Sequence, residues 1–411
     1  MAVSPSRRDA RHNNPLPFHF PDASSPVPFE LKVNEEFLEM TIQKVKRYRP
    51  TITLQTEWNT EGPPTHSIAE IAEHWAYKYD WRSTEQKINQ AHDHFATTVE
   101  GSNGYPKPIP LHFIHHRSPH ENAIPLLLLH GWPSSLLEWS KVVKSLTNND
   151  KQPFHIVAPD LPGFGFSPAP KQAGLGPREM GRAFDALMQQ LDYKKYGLAT
   201  TDLGWFTGMW MVHDVQENII GHMTDFFMAP PNSDDRARLQ KGEANVEESS
   251  YISAHDRWFE CHWAYATTHA QKPAALALAL GDSPVGLLGW YWDVNHATSD
   301  GYTYSYDRLI TDAMMLWIPG PYANIRAYTE FFKPSVMNFP LSKVPTGVSA
   351  WGWGNGPFSE IAHFPFAPEA WIKRTANLVY CKKHDGGGHF PAVSQPTAWV
   401  EDVREFFAGL K

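Results

Sequence analysis

The residues of this chain best placed for chemistry are an acid at a turn, a histidine in a glycine loop, and backbone N–H groups beside the acid. The acid is Asp202, in Gly197-Leu-Ala-Thr-Thr-Asp-Leu-Gly204. An apolar, β-branched run ends on it, and a small residue two places later opens a helical pattern from Phe206 to Val215. The outline is small-x-nucleophile-x-Gly, a strand-turn-helix elbow with a carboxylate in the nucleophile position. A carboxylate there is ionised at neutral pH and attacks saturated carbon without a base to activate it. Asp is also a common helix N-cap, and the turn permits both roles.

His389 lies in His384-Asp-Gly-Gly-Gly-His-Phe390. The glycines let the backbone turn sharply, and an imidazole that titrates near neutrality takes a proton from water at pH 7. Trp132, in His130-Gly-Trp-Pro133, and Leu203 supply the natural pair of N–H groups to hold an oxyanion on an ester of Asp202. His130, Pro133 and Trp205 flank these two turns and are expected to bind substrate. His112, His115 and His116 fall on a strand pattern, where a structural role is the better expectation.

These groups need a scaffold that ends several strands at one place. Pro110–His116 alternates as a half-buried strand should, and Ile124–Leu129 is solidly apolar, as in a buried parallel strand. A helical pattern over 134–146, a strand over Phe154–Ala158, a helix over 177–191 and a strand over 196–201 continue the alternation. Further strands are expected at Met223–Met228, Val344–Trp351 and Leu378–Cys381, with a last helix carrying Trp399, Val403, Phe406 and Phe407. The pattern predicts an α/β fold with a doubly wound, mostly parallel sheet, whose ligand site lies at the carboxyl ends of the strands. His130, Asp202 and His389 all follow strands.

Two helical segments lie outside that alternation. Residues 26–105 read as an N-terminal helical extension after a mobile tail at 1–25, and 232–334, rich in Trp and Tyr, reads as a helical cap inserted in a core of 106–231 and 335–411. A length of 411 residues and 42% hydrophobic content suit one large domain with additions. The net charge of -8 argues against a nucleic-acid partner. Two cysteines in unrelated contexts offer neither a disulfide framework nor a metal site. The polar start and the lack of a long apolar run predict a soluble cytoplasmic protein with no signal peptide and no transmembrane segment.

The motifs together resemble the epoxide hydrolases of the α/β-hydrolase fold, in the microsomal and fungal branch with an N-terminal helical extension. The resemblance spans about residues 27–408 and is carried by Trp75-Ala-Tyr-Lys-Tyr-Asp-Trp-Arg82, Leu111-His-Phe-Ile-His115, His130-Gly-Trp-Pro133, Asp160-Leu-Pro-Gly-Phe-Gly-Phe-Ser167, Asp282-Ser-Pro-Val-Gly-Leu287 and Gly386-Gly-Gly-His-Phe390. It implies that two cap tyrosines protonate the epoxide oxygen, and the matching positions are Tyr265 and Tyr328. It also implies an acid after the strand at 344–351 that orients His389. Glu360 is the best candidate, in a stretch with apparent extra residues, and Asp385 is the weaker one. The elbow departs from the family, with Thr200-Thr201-Asp202-Leu203 where Gly-Gly-Asp-Trp is usual.

The expected activity is conversion of an apolar epoxide to a vicinal diol through an ester on Asp202, in detoxification or secondary metabolism, with no cofactor and no metal. A homodimer is compatible with the sequence. The rivals are a haloalkane dehalogenase, an epoxide-opening cyclase and a non-catalytic binding protein on the same fold. A serine esterase is disfavoured because the chain contains no Gly-x-Ser-x-Gly.

Overall fold

The computed structural model describes residues 16–410 apart from 55, 59, 60, 149 and 150. At its centre is a sheet of nine strands: β1 (Val27–Pro28), β2 (His94–Val99), β3 (Ile109–His116), β4 (Ile124–Leu129), β5 (Phe154–Pro159), β6 (Tyr196–Thr200), β7 (Ile219–Thr224), β8 (Pro345–Trp351) and β9 (Asn377–His384). Their order is β1-β2-β3-β5-β4-β6-β7-β8-β9. The first three and β5 pair antiparallel; from β5 through β4 to β9 every pairing is parallel. The parallel strands are apolar because they are covered on both faces: Leu126 to Leu129 of β4 are fully buried.

Three expectations shift. The strand read at Met223–Met228 is β7, which begins four residues earlier at Ile219 and ends at Thr224. Residues 94–99, read as part of the helical extension, form β2, paired with β3 from His94↔Ile114 to Val99↔Ile109. Of the tail expected over 1–25, residues 1–15 lie outside the described residues. Residues 16–25 are held against the domain: Phe18 is buried, and the Thr98 N–H donates to Ala23 O at 2.7 Å.

Between β7 and β8 the chain runs through helices from Ser233–Gln240 to Pro334–Met337. The first two start in reciprocal caps, Asn232 with Asp235 and Asn245 with Glu248. The N-terminal helices Glu35–Lys46, Thr65–Tyr77 and Trp81–Ala91 buttress this layer. Trp317 Nε1–H donates to Thr41 Oγ1 at 2.9 Å, Tyr79 and Thr311 hydroxyls meet at 3.0 Å, and Lys44 pairs with Asp282. The apolar stripes of the extension are therefore buried against the layer that covers the strand ends. No described helix is long and apolar enough to cross a membrane.

Candidate active site

Asp202 follows β6 as the first residue of the helix Asp202–Asp214, with Thr201 at the N-cap. Its φ of +43° puts a non-glycine residue in the left-handed region, a strained conformation that presents the side chain above the sheet. The Trp132 N–H, from the turn after β4, donates to Asp202 Oδ1 at 2.7 Å. His389 Nε2 stands 3.4 Å from the other oxygen, Oδ2, with both side chains about nine-tenths buried. Gly387 and Gly388, at φ +135° and +77°, make the turn that delivers His389. A Cβ on Gly388 would fall 2.7 Å from Thr298 O, the same carbonyl that accepts the His389 N–H at 2.9 Å. The histidine loop is thus pressed onto the cap helix Pro284–Thr298.

The cap supplies Tyr265, on helix Ala264–Gln271, and Tyr328, on helix Pro321–Phe331. The Tyr265 ring stacks on the Trp132 indole with centroids 5.2 Å apart, and the Tyr328 ring meets the Tyr265 ring edge-on at 5.9 Å. Burial pushes both phenols well above their usual pKa, and the charge of Asp202 pushes in the same direction. They are therefore O–H donors at any physiological pH. Asp202, His389 and both tyrosines line one cavity, whose other walls include Phe226, Met228, Trp258, Trp263, Val294, Phe332, Trp353 and Phe364. Leu203, the second expected oxyanion donor, also lines it.

Four expected residues lie elsewhere. His130 is fully buried: its Nε2 accepts the Leu161 N–H at 3.1 Å, so the proton is on Nδ1, which donates to Gly131 O at 3.0 Å. It holds the turn rather than the substrate. Pro133 is buried and does not line the cavity, and Trp205 is buried among Phe206, Phe226, Phe227 and Phe339, with centroids 4.8 to 5.5 Å away. Glu360 does not meet His389. It precedes the buried Ile361 on a short turn, Ser359–Ile361, that packs Ile361 and Phe364 inward with Trp258 and Trp353. Its carboxylate faces outward, 3.9 Å from Arg257 Nε and about one-third exposed.

An acid that the sequence reading passed over lies at the end of β7. Asp225 is buried, accepts the Trp399 Nε1–H at 2.7 Å through Oδ2, and makes no well-formed hydrogen bond through Oδ1 among the described residues. Its position after a parallel strand is the signal that would have found it, had β7 been placed correctly. The aromatic walls were foreshadowed by the Trp and Tyr clusters of the cap.

A family model for the N terminus of epoxide hydrolases matches residues 26–139, and one for the α/β-hydrolase fold matches 124–225. The chain thus resembles the epoxide hydrolases of the α/β-hydrolase fold. It is 26% identical to juvenile hormone epoxide hydrolase 1 of Ctenocephalides felis, over 92% of this chain and 84% of that one. Epoxide hydrolase 1 of Sus scrofa is also 26% identical, over 93% and 89%. The solved Aspergillus niger epoxide hydrolase superposes with a TM-score of 0.78 at 24% identity, covering 97% of this chain and all of that one, which is a likeness of fold.

Proposed function

We propose that this epoxide hydrolase opens an apolar epoxide to a vicinal diol in two steps centred on Asp202. In the first, Asp202 attacks a ring carbon, the C–O bond of the epoxide breaks, and Tyr265 and Tyr328 donate to the departing oxygen, one of them giving up its proton. Without those donors the opening ring would leave an alkoxide in an aromatic cavity. The product is an ester on Asp202 and a tyrosinate.

In the second step His389 takes a proton from water, whose oxygen attacks the ester carbonyl carbon, and the oxyanion is held by the N–H groups of Trp132 and Leu203. The tetrahedral species breaks its bond from the carbonyl carbon to the substrate oxygen; that oxygen takes the second hydrogen of the water and leaves as the diol, and the water oxygen stays in the Asp202 carboxylate. The proton on His389 returns through solvent to the tyrosinate. The cap, 232–334, carries the two acids, and the segment 26–105 supports it.

One observation carries this reading: the two protonated tyrosines share a cavity with a carboxylate that is held at one oxygen by a backbone N–H and faced at the other by His389. The aromatic walls suit an apolar epoxide. The two unpaired cysteines agree with a cytoplasmic location. The test is His389→Gln incubated with a panel of styrene, stilbene and cyclohexene oxides, followed by peptide mass. An ester on the peptide containing Asp202 is expected, and its absence with an epoxide that the wild type turns over would refute the mechanism.

A further inference from the structure

A base that becomes a cation needs a carboxylate on its far side, both to fix its tautomer and to stabilise the imidazolium. His389 presents Nε2 to Asp202, and Glu360 is engaged with Arg257. Asp225 is a buried acid that lines a cavity with His389, although the structure shows no ion pair between the two. It leaves the end of β7, between β6, which delivers Asp202, and β8. Asp225, Gly388 and His389 line a second, small cavity with Trp351, Trp353 and Phe364. The next residue, Phe226, packs its ring edge-on against the imidazole at 5.4 Å.

The hydrogen bonds of Asp225 are unequal in a telling way. Oδ2 is fixed by the Trp399 indole N–H at 2.7 Å, while the buried Oδ1 makes no well-formed hydrogen bond among the described residues and the Thr201 side chain also bears on the carboxylate. A buried carboxylate oxygen with no donor costs free energy unless a charged donor compensates it. The groups that bear on Asp225 are the side chains of Thr201 and Trp399 and, through their charge, His389 and Glu138. Burial, with the repulsion of Asp225, raises the pKa of the fully buried Glu138 well above the usual range, so Glu138 stays neutral and Asp225 is the acid left to carry charge.

We infer that Asp225 is the positioning residue of His389, the carboxylate that accepts its Nδ1–H and stabilises the imidazolium during ester hydrolysis, and that Glu360 has no part in that step. The inference rests on the two-step reading above. Burial raises the pKa of Asp225 to about 6 while His389, Thr201 and Trp399 pull it down, so the acid is ionised at pH 7. Because Asp225 acts only through His389, its loss should spare ester formation and slow ester hydrolysis.

The test uses the full chain and an epoxide that the wild type turns over, chosen from the same panel. Asp225→Asn should keep the rate of the ester-forming burst and lose roughly 100-fold or more in steady-state kcat, with ester accumulating on Asp202. Asp225→Glu should recover part of the loss, and Glu360→Gln should stay within about 3-fold of wild type, well short of a catalytic loss. If Asp225→Asn does not fold, Trp399→Phe removes only the donor to Oδ2, and the acidic limb of the hydrolysis rate should move to higher pH. A folded Asp225→Asn with wild-type kcat and no ester, an unmoved limb in Trp399→Phe, or ester accumulating in Glu360→Gln would each overturn the assignment. If His389→Gln traps ester while Asp225→Asn behaves as wild type, this inference alone fails; if His389→Gln never traps ester, the two-step reading fails first.

Discussion

The Trp132 N–H holds Asp202 at Oδ1, 2.7 Å away, and so turns Oδ2 toward His389. The contact is possible because residue 131 is glycine: a Cβ there would lie 2.1 Å from Asp202 Oδ1 and 2.5 Å from Leu203 N. Gly131→Ala should therefore displace the nucleophile. A shift of about 1 Å at a reacting group costs on the order of 100-fold, so the ester-forming burst should slow by about that factor. Rapid-quench measurement of the burst checks this, and an unchanged burst would mean that the carboxylate does not react from this position.

The paired tyrosines make a prediction about alkaline pH. A phenol donates only while protonated, and burial and the Asp202 charge both raise these pKa values above the usual 10.0. The donors are therefore present below the raised pKa and lost only above it, so the ester-forming rate should not decline from tyrosine ionisation between pH 7 and about 10. Tyr265→Phe and Tyr328→Phe should each slow that step by about 10- to 100-fold, and the double variant by roughly 1,000-fold or more, because each single variant keeps one donor. Hydrolysis of a preformed ester should be unaffected. A double variant that keeps the wild-type burst would remove the tyrosines from the reaction.

How much of this was legible in the sequence follows from where the information lies. β4 and β6 are continuous apolar runs, and a buried parallel strand admits nothing else, so their ends and the residues after them could be read directly. In β7 the true strand contains Gly221 and His222, which break the apolar run, while Met223–Met228 looks more like a strand. His222 is buried because its Nε2 pairs with the Thr200 hydroxyl at 2.7 Å, a partner on another strand that no local pattern reveals. The four-residue error put Asp225 inside a strand and hid it. Glu360 shows the converse: its motif was legible, but the inward packing of Ile361 and Phe364 decides where its carboxylate points. Substrate contacts were misassigned to His130, Pro133 and Trp205 because chain proximity to a turn does not tell which side chains the cap leaves facing the cavity.

A cluster of histidines predicts how stability depends on acid. His92, His94 and His115 are buried beside β2 and β3, and burial lowers their pKa values to about 4, 2 and 4. In the unfolded chain they titrate near 6.5. Between those values the unfolded state binds protons that the folded state does not, so stability is fully present above about pH 6.5 and is lost as pH falls. Each such residue costs up to about 1.4 kcal/mol per pH unit below 6.5 until its folded pKa is reached. The melting temperature should fall steeply from pH 6.5 to 4.5, and His92→Asn should flatten part of that slope. A melting temperature independent of pH over this range would contradict it.

Two residues of the cavity wall should respond differently to truncation. Met228 lines the cavity without a ring contact to either tyrosine, whereas the Phe332 ring stacks on Tyr328 with centroids 5.4 Å apart and planes 18° from parallel. Met228→Ala adds room and leaves the donors in place, so kcat/KM for a bulky epoxide such as stilbene oxide should rise relative to styrene oxide. One or more methylene groups of pocket shape are worth about 10-fold or more in such a ratio. Phe332→Ala also adds room but removes the ring stacked on Tyr328, so kcat should fall for both substrates, by about as much as in Tyr328→Phe. The comparison separates cavity size from donor placement, because both variants change size but only Phe332→Ala disturbs the placement of Tyr328, so only it should lower kcat for both substrates. If Phe332→Ala altered the ratio and left kcat intact, Tyr328 would be held by its own helix and not by the ring stacked on it.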